Sequence, residues 1–301
     1  MAFGFDVAAL PAYTDQLSLD LISKVVLKTD LLDYIDLRSG FTSGTVAINL
    51  VDAALPVSAL SCGWTSDGQV TYTQVNVIIE SLQSKTEMCV EDLRATYQSA
   101  FMNAGTGNDF IPFENVISES YSDKLRKYNE GFLINGSAGG AMTGLKGQIT
   151  SANGANLQGG AIAAWTPANA VEQALDLYDA IAESVKDRDD LIMVVSPDAY
   201  RALVRGLVAS NLFHYDSVGG NDILILPGTN VTVVKSSGLV GSDNKFAGPG
   251  KMILAATGLT DELDNFRFFY DEAADTMRFR AAWRLGVGVG EVNVFATNDM
   301  A

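Results

Sequence analysis

Six glycines fall within eighteen residues in the run GFLINGSAGGAMTGLKGQ, positions 131–148. Such a run can cradle a phosphate, because side-chain-free backbone N–H groups approach the anion closely and a following helix N-terminus favours its charge. That chemistry needs the last glycine followed by Lys and then Ser or Thr, with a strand before the loop and a helix after it. Gly139 and Gly144 have the right separation, but Leu145 and Lys146 come next, and the run follows a strongly helical stretch. The expected role is therefore mechanical: a helix stop and tight turns, with glycine supplying positive φ and close backbone approach.

The other reactive residue types are sparse. His214 is the single histidine, so one chain cannot build a two-histidine zinc site, and its surroundings, NLFHYDS, lack the usual features of a nucleophile triad. Cys62 and Cys89 have no short spacing, which fits neither a disulfide framework nor a zinc pattern; a reduced, cytosolic site of synthesis is expected. Two acidic runs, DRDD (187–190) and TDELD (260–264), offer oxygen ligands of the kind divalent metals take, without EF-hand spacing, and read as solvated loops. VGVGEVN, from Val287, lacks the third glycine of a dinucleotide fingerprint. Asn135-Gly136-Ser137 fits the glycosylation pattern, but the N-terminus has no basic n-region and meets Asp6 early, so no secretory signal is expected. No catalytic, cofactor-binding or metal-binding residue is assigned, and no cofactor.

Charge narrows the partners. The net charge is -16 over 301 residues, with 36 acidic and 20 basic side chains. As a whole such a chain repels nucleic-acid phosphates, and no segment approaches the ~20 apolar residues that span a bilayer. Apolar residues make up 48%, enough to bury a large core. One row of cations stands out: Arg278, Arg280 and Arg284 alternate with apolar residues. It reads either as a partner or nucleic-acid contact or as a solvated strand face paired with carboxylates.

The elements that position these residues follow from periodicity. TVAINLV (45–51) and QVTYTQVNVIIES (69–81) alternate as strands, with Asp67-Gly68 as a reversal signal between them. Together they form a hairpin-like excursion, 45–80. CVEDLRATYQSAFMNAG reads as a helix. From Phe113, the residues Val116, Ile117, Tyr121, Leu125, Tyr128 and Phe132 form one apolar stripe, a helix some 22 residues long ending at Gly136. Glu114 and Glu119 early, with Lys124, Arg126 and Lys127 late, suit the helix dipole. Residues 165–262 alternate helix and strand as a compact α/β domain. Its first helix is capped by Thr166 with Pro167 at N1 and buries Val171, Ala174, Leu175, Tyr178, Ile181 and Val185; its second starts at Ser196-Pro197. The end of the chain is β, with Met277, Phe279, Ala281, Trp283, Leu285, Val287 and Val289 in strict period two.

This order of parts resembles the tailed-phage major capsid protein of the Hong Kong 97-type fold. The resemblance is carried by SDKLRKYNEGFLINGSAGGAMTGLKGQI, with its Ile134-Asn135-Gly136 and Gly144-Leu145 steps, by the return SKTEMCVEDLRATYQSAF, and by the closing FRFFYDEAADTMRFRAAWRLGVGV. It implies an α+β fold with an N-terminal arm (1–44), an extended β-hairpin loop (45–80) lying across a neighbouring subunit, and a peripheral domain (81–164) with a spine helix (113–134). An α/β axial domain (165–262) and returning C-terminal strands (263–301) complete it. The implied function is a non-enzymatic structural one: self-assembly, as pentamers and hexamers, into an icosahedral shell around packaged double-stranded DNA, touched without sequence-specific contacts. Portal, scaffolding or decoration proteins would be partners, a membrane would not, and the location would be the virion, after synthesis in the host bacterial cytoplasm. Two alternatives stand beside it: the shell of an encapsulin-like cellular nanocompartment, and a nucleotide-binding enzyme. Lys85 is not assigned to the Lys-Asn crosslink of some relatives.

Overall fold

The computed structural model describes residues 31–41, 44–53, 70–89, 113–139, 141–160, 162–210, 224–258, 267–271, 274 and 276–299. Their strands form two sheets. The first has the order β1 (Asp36–Arg38), β9 (Ile253–Thr257), β11 (Thr276–Val289), β3 (Val70–Cys89), β2 (Gly44–Ala53), with β10 (Arg267–Asp271) also paired to β11. The second has the order β4 (Asn156–Leu157), β12 (Ala296–Thr297), β8 (Phe246–Pro249), β5 (Leu191–Val195), β7 (Thr232–Lys235), β6 (Leu224–Ile225). Four α-helices accompany them: α1 (Phe113–Asn135), the single turn α2 (Leu145–Gln148), α3 (Ala170–Asp179) and α4 (Pro197–Ala209).

Each central strand shows why it is central. Every residue of β5, LIMVV, and of β9, ILAAT, is buried, as expected of strands covered on both faces. β5 and β7 run parallel, so the chain must cross over between them, and α4 lies in that connection. Ser196 caps α4 by accepting from Ala199 N at 3.3 Å, with Pro197 in the first turn, as its sequence predicts.

Three expectations need correction. The helix anticipated from Thr166 starts at Ala170, because the Asn169 side chain accepts from Thr166 N (2.6 Å) and Oγ1 (2.9 Å) and holds a separate turn first. It ends at Asp179 rather than near Val185, which sits in a 3-10 turn; of the expected face Ala174, Ile181 and Val185 are buried and Val171 and Tyr178 pack against the core, but Leu175 is exposed, while Ala170, Gln173 and Leu177 are buried in addition. β3 runs to Cys89, beyond the alternation that predicted it, because main-chain pairing to β11, from Thr276↔Cys89 to Val287↔Ile78, holds the polar stretch extended.

α1 has 23 residues, a rod of about 35 Å. Leu125, Phe132, Leu133 and Ile134 are buried, Tyr121 stacks on Phe279 with 4.7 Å between ring centroids, and Tyr128 meets Trp283 edge-on although it is half exposed. Lys124, Arg126 and Lys127 lie too far from the C-terminus to serve its dipole, since the last turn contains no basic residue. One continuous core joins α1, both sheets, α3 and α4; a small second cluster, Val75, Val77, Ile79, Leu254 and Ala256, lies on the opposite face of the first sheet under Phe41 and Val46.

Candidate assembly elements

The glycine run makes a closed turn. α1 ends where Gly136 takes φ +83°, Gly136 N donates to Phe132 O at 2.8 Å, and Ser137 N donates to Met142 O at 3.0 Å. A bridge between Gly136 and Thr143 draws the two arms together. A Cβ on Gly136 would lie 2.4 Å from Met142 O, and one on Gly144 would lie 2.3 Å from both Gly136 N and Ile134 O. The backbones of the two arms are in direct contact, and the run closes on itself after a helix.

The turn also ties distant parts together. Asn135 Nδ2 donates to Gly238 O at 2.8 Å, and Ser237 Oγ donates to Glu130 Oε2 at 2.5 Å. Gly238 packs against α1 so closely that a Cβ there would meet Glu130 O and Ile134 Cγ1 at 2.8 Å. After the turn, Gln148 Nε2 donates to Val287 O (3.1 Å) while its Oε1 accepts from Val289 N (3.0 Å), so one amide side chain locks the run to β11. Trp283 Nε1 donates to the buried Asn129 Oδ1 at 2.9 Å. α1 thereby fixes the first sheet relative to the second. Gly238 and Gln148 carry no local motif; only the folded chain reveals their partners.

The ribbon is the other unusual element. β2 pairs antiparallel with β3 from Gly44↔Ile79 to Ala53↔Val70. β11 leaves β3 at Ile78, so among the described residues the ladder from Val46↔Val77 outward has two strands only. The register places Val46 against Val77 and Ile48 against Val75. At the ribbon base Val75 and Val77 form one apolar cluster with Ile79, Leu254 and Ala256, and Phe41 and Val46 pack against it. The opposite face of β3 carries Tyr72, 73% exposed, and Gln74, whose Nε2 donates to Asn49 Oδ1 at 3.3 Å. The tip, with Cys62, lies outside the described residues.

Among the described residues the remaining reactive groups do not converge. Asp190 is committed to Arg188, with contacts of 2.7 and 2.9 Å, and accepts from Lys251 N; the Arg188 hydrogen bond holds its pKa below the usual value. His214 and the TDELD run lie outside the described residues, and Cys89 is an exposed free thiol. VGVGEVN ends a strand, where Gly288 makes room for Val77, and leads only into a short 3-10 turn. Among the described residues, no helix is long and apolar enough to cross a membrane, and no three His, Cys, Asp or Glu side chains gather as metal ligands.

Comparison with solved structures decides the fold. The chain is similar to the capsid of the native GTA particle, with a TM-score of 0.58 at 14% identity over 90% of this chain and 89% of that one. It is similar to a protein of Gordonia phage Cozz, TM-score 0.57 at 11% identity, over 90% and 85%. The chain has the Hong Kong 97-type capsid fold. It is also similar to the virus-like particle from Pyrococcus furiosus, TM-score 0.51 at 11% identity, over 95% and 98%. No family model matches the sequence, and no curated protein matches it.

Within this capsid fold one buried cation is out of place. Lys245 is fully buried, its Nζ donates to Asp243 O at 2.6 Å and lies 5.2 Å from the centre of the Trp165 ring. Burial lowers its pKa to about 8, with Asp243 acting in the opposite direction. Because the unfolded chain holds this proton up to the ordinary lysine value, stability rises with pH between about 8 and the 10.5 of a free lysine, and below that window the buried charge costs roughly 3 kcal/mol. Lys245→Met is expected to stabilise the chain at pH 7 by about 2 kcal/mol, after the lost contacts are counted. The gain should shrink as pH approaches 10.5. Denaturant unfolding of both chains across that range is the check; a loss of stability at pH 7 would contradict it.

Proposed function

We propose that this chain is the structural major capsid protein of a tailed bacteriophage, which self-assembles into an icosahedral shell around packaged double-stranded DNA. The ribbon carries this reading. An isolated two-stranded ribbon is marginal in water, and one that leaves its sheet at Ile78 needs another surface to lie on. A neighbouring copy supplies that surface. On this reading residues 45–80 are the extended loop across the adjoining subunit, α1 is the spine of a peripheral domain (81–164), and residues 165–262 are the axial domain gathered around five- and sixfold positions. The first 44 residues form an arm, and residues 263–301 return to the peripheral domain.

Contacts of this kind join different patches of identical chains, the head-to-tail arrangement that closes into rings and shells. Pentamers and hexamers, a portal, and scaffolding or decoration proteins complete the assembly, in the virion and, during synthesis, in the host cytoplasm. The role is non-enzymatic. The surplus of carboxylates, 36 against 20 basic residues, suits a wall along which DNA slides without sticking.

A second reading is favoured by one observation. The match to the Pyrococcus furiosus particle covers 98% of that chain, so a cellular nanocompartment shell of encapsulin type would use the same fold. Particles isolated from their native source and treated with nuclease separate the two. Protected double-stranded DNA of uniform length supports the phage capsid; a shell holding a folded enzyme and no DNA supports the nanocompartment.

A further inference from the structure

On the face of the first sheet opposite α1, β11 carries Arg278, Arg280 and Arg284. Arg278 is neutralised by Asp271 and, at 3.6 Å, by Glu87. Arg280 is not. Register places Lys85 of β3 directly across from it, and Arg267 of β10 directly across on its other side. Both Lys85 and Arg280 are exposed, and among the described residues neither has an ion pair. Two cations, Lys85 and Arg280, thus face each other across neighbouring strands about 5 Å apart. Like charges directly opposite one another destabilise a sheet, and main-chain pairing on both sides leaves the register no freedom to separate them.

The chain has carboxylates to spare, yet among the described residues none pairs with Lys85 or Arg280. We propose that the Lys85–Arg280 pair is a contact site for an acidic surface of an adjoining copy of the same chain. Charge complementarity selects that occupant. Copies at -16 each repel one another, so an assembly needs places where a cationic pair meets a neighbour's carboxylates. A nucleic acid would find the same pair attractive, but must first approach a chain whose net charge opposes it. The contact rests on the shell reading and gives it one of its unlike patches.

The double variant Lys85→Gln/Arg280→Gln tests it, with Arg280→Gln alone beside it. Removing like charges from an exposed rung should leave the melting temperature of the unassembled chain unchanged or higher. The lowest protein concentration that yields particles should rise at least tenfold. An unchanged threshold overturns the proposal, as does a fall in melting temperature, which would mark the pair as structural. Particles that form at the same threshold but lose affinity for a short DNA duplex overturn it in favour of nucleic acid. If the unsubstituted chain builds no particles at all, the shell reading fails, and this contact with it.

Discussion

A chain in which residues 49–74 are replaced by Asn-Gly should fold and fail to assemble. The new ends, Ile48 and Val75, are directly paired in the ladder, so a two-residue turn of this type can close the shortened hairpin. The base cluster of Val75, Val77, Ile79, Leu254 and Ala256 survives, and among the described residues the main core includes none from the removed segment. Circular dichroism and denaturant midpoint should therefore match those of the full chain to within about 1 kcal/mol, because a ribbon without a third strand adds little to its own stability. Particle formation should be abolished rather than weakened, since every inter-subunit contact of the loop is removed at once. Full-size particles from the shortened chain would refute the role given to the ribbon.

Gly144→Ala should unfold the chain far more readily than its single added methyl suggests. The new Cβ would lie 2.3 Å from Gly136 N and from Ile134 O, both backbone atoms that no rotamer change can move aside. Relief requires opening the turn, which breaks the Gly136–Thr143 bridge and shifts the end of α1 away from Gly238 and Ser237. Overpacking of this kind costs about 1–3 kcal/mol. Disturbing the hydrogen bonds of Asn135 and Glu130 adds about 1 kcal/mol each. A loss of roughly 3–5 kcal/mol is expected, a large share of a typical domain's 5–15 kcal/mol. Gly139→Ala, in the same run, meets no atom within 4 Å and has no positive φ, so it should change stability by less than about 0.5 kcal/mol. Equal effects from the two substitutions would show that composition of the run, not contact between its backbones, is what matters.

The contrast between these glycines marks what can be read from letters. α1 was visible because one apolar stripe at helical spacing must pack against something: Leu125 and Phe132 do so, and Tyr121 meets Phe279. β11 was visible because Phe279, Ala281, Trp283 and Leu285 alternate strictly, and all are buried. That the glycine run is a turn followed from its position after a helix. Which glycines are irreplaceable did not, since Gly136 and Gly144 are defined by each other across the turn and Gly238 lies about a hundred residues away.

Local reading failed where side chains compete with local preference or where pairing is remote. Thr166 and Pro167 are a good helix start, but the Asn169 carboxamide oxygen takes the Thr166 donors and delays the helix. The second half of β3, SLQSKTEMC, has little alternation and is strand only because β11 lies beside it. The same remote pairing puts Lys85 opposite Arg280, a juxtaposition hidden in two segments almost two hundred residues apart. Lys245 gives no sign in sequence of being fully buried.

The central claim is that identical copies cover the ribbon. Size-exclusion chromatography of the expressed full-length chain, with negative-stain microscopy of the excluded fraction, measures this directly. The account predicts uniform closed shells or their pentamer and hexamer pieces, shifting toward shells as protein concentration rises. A single monomer peak at every concentration and salt tried, with empty grids, would contradict it.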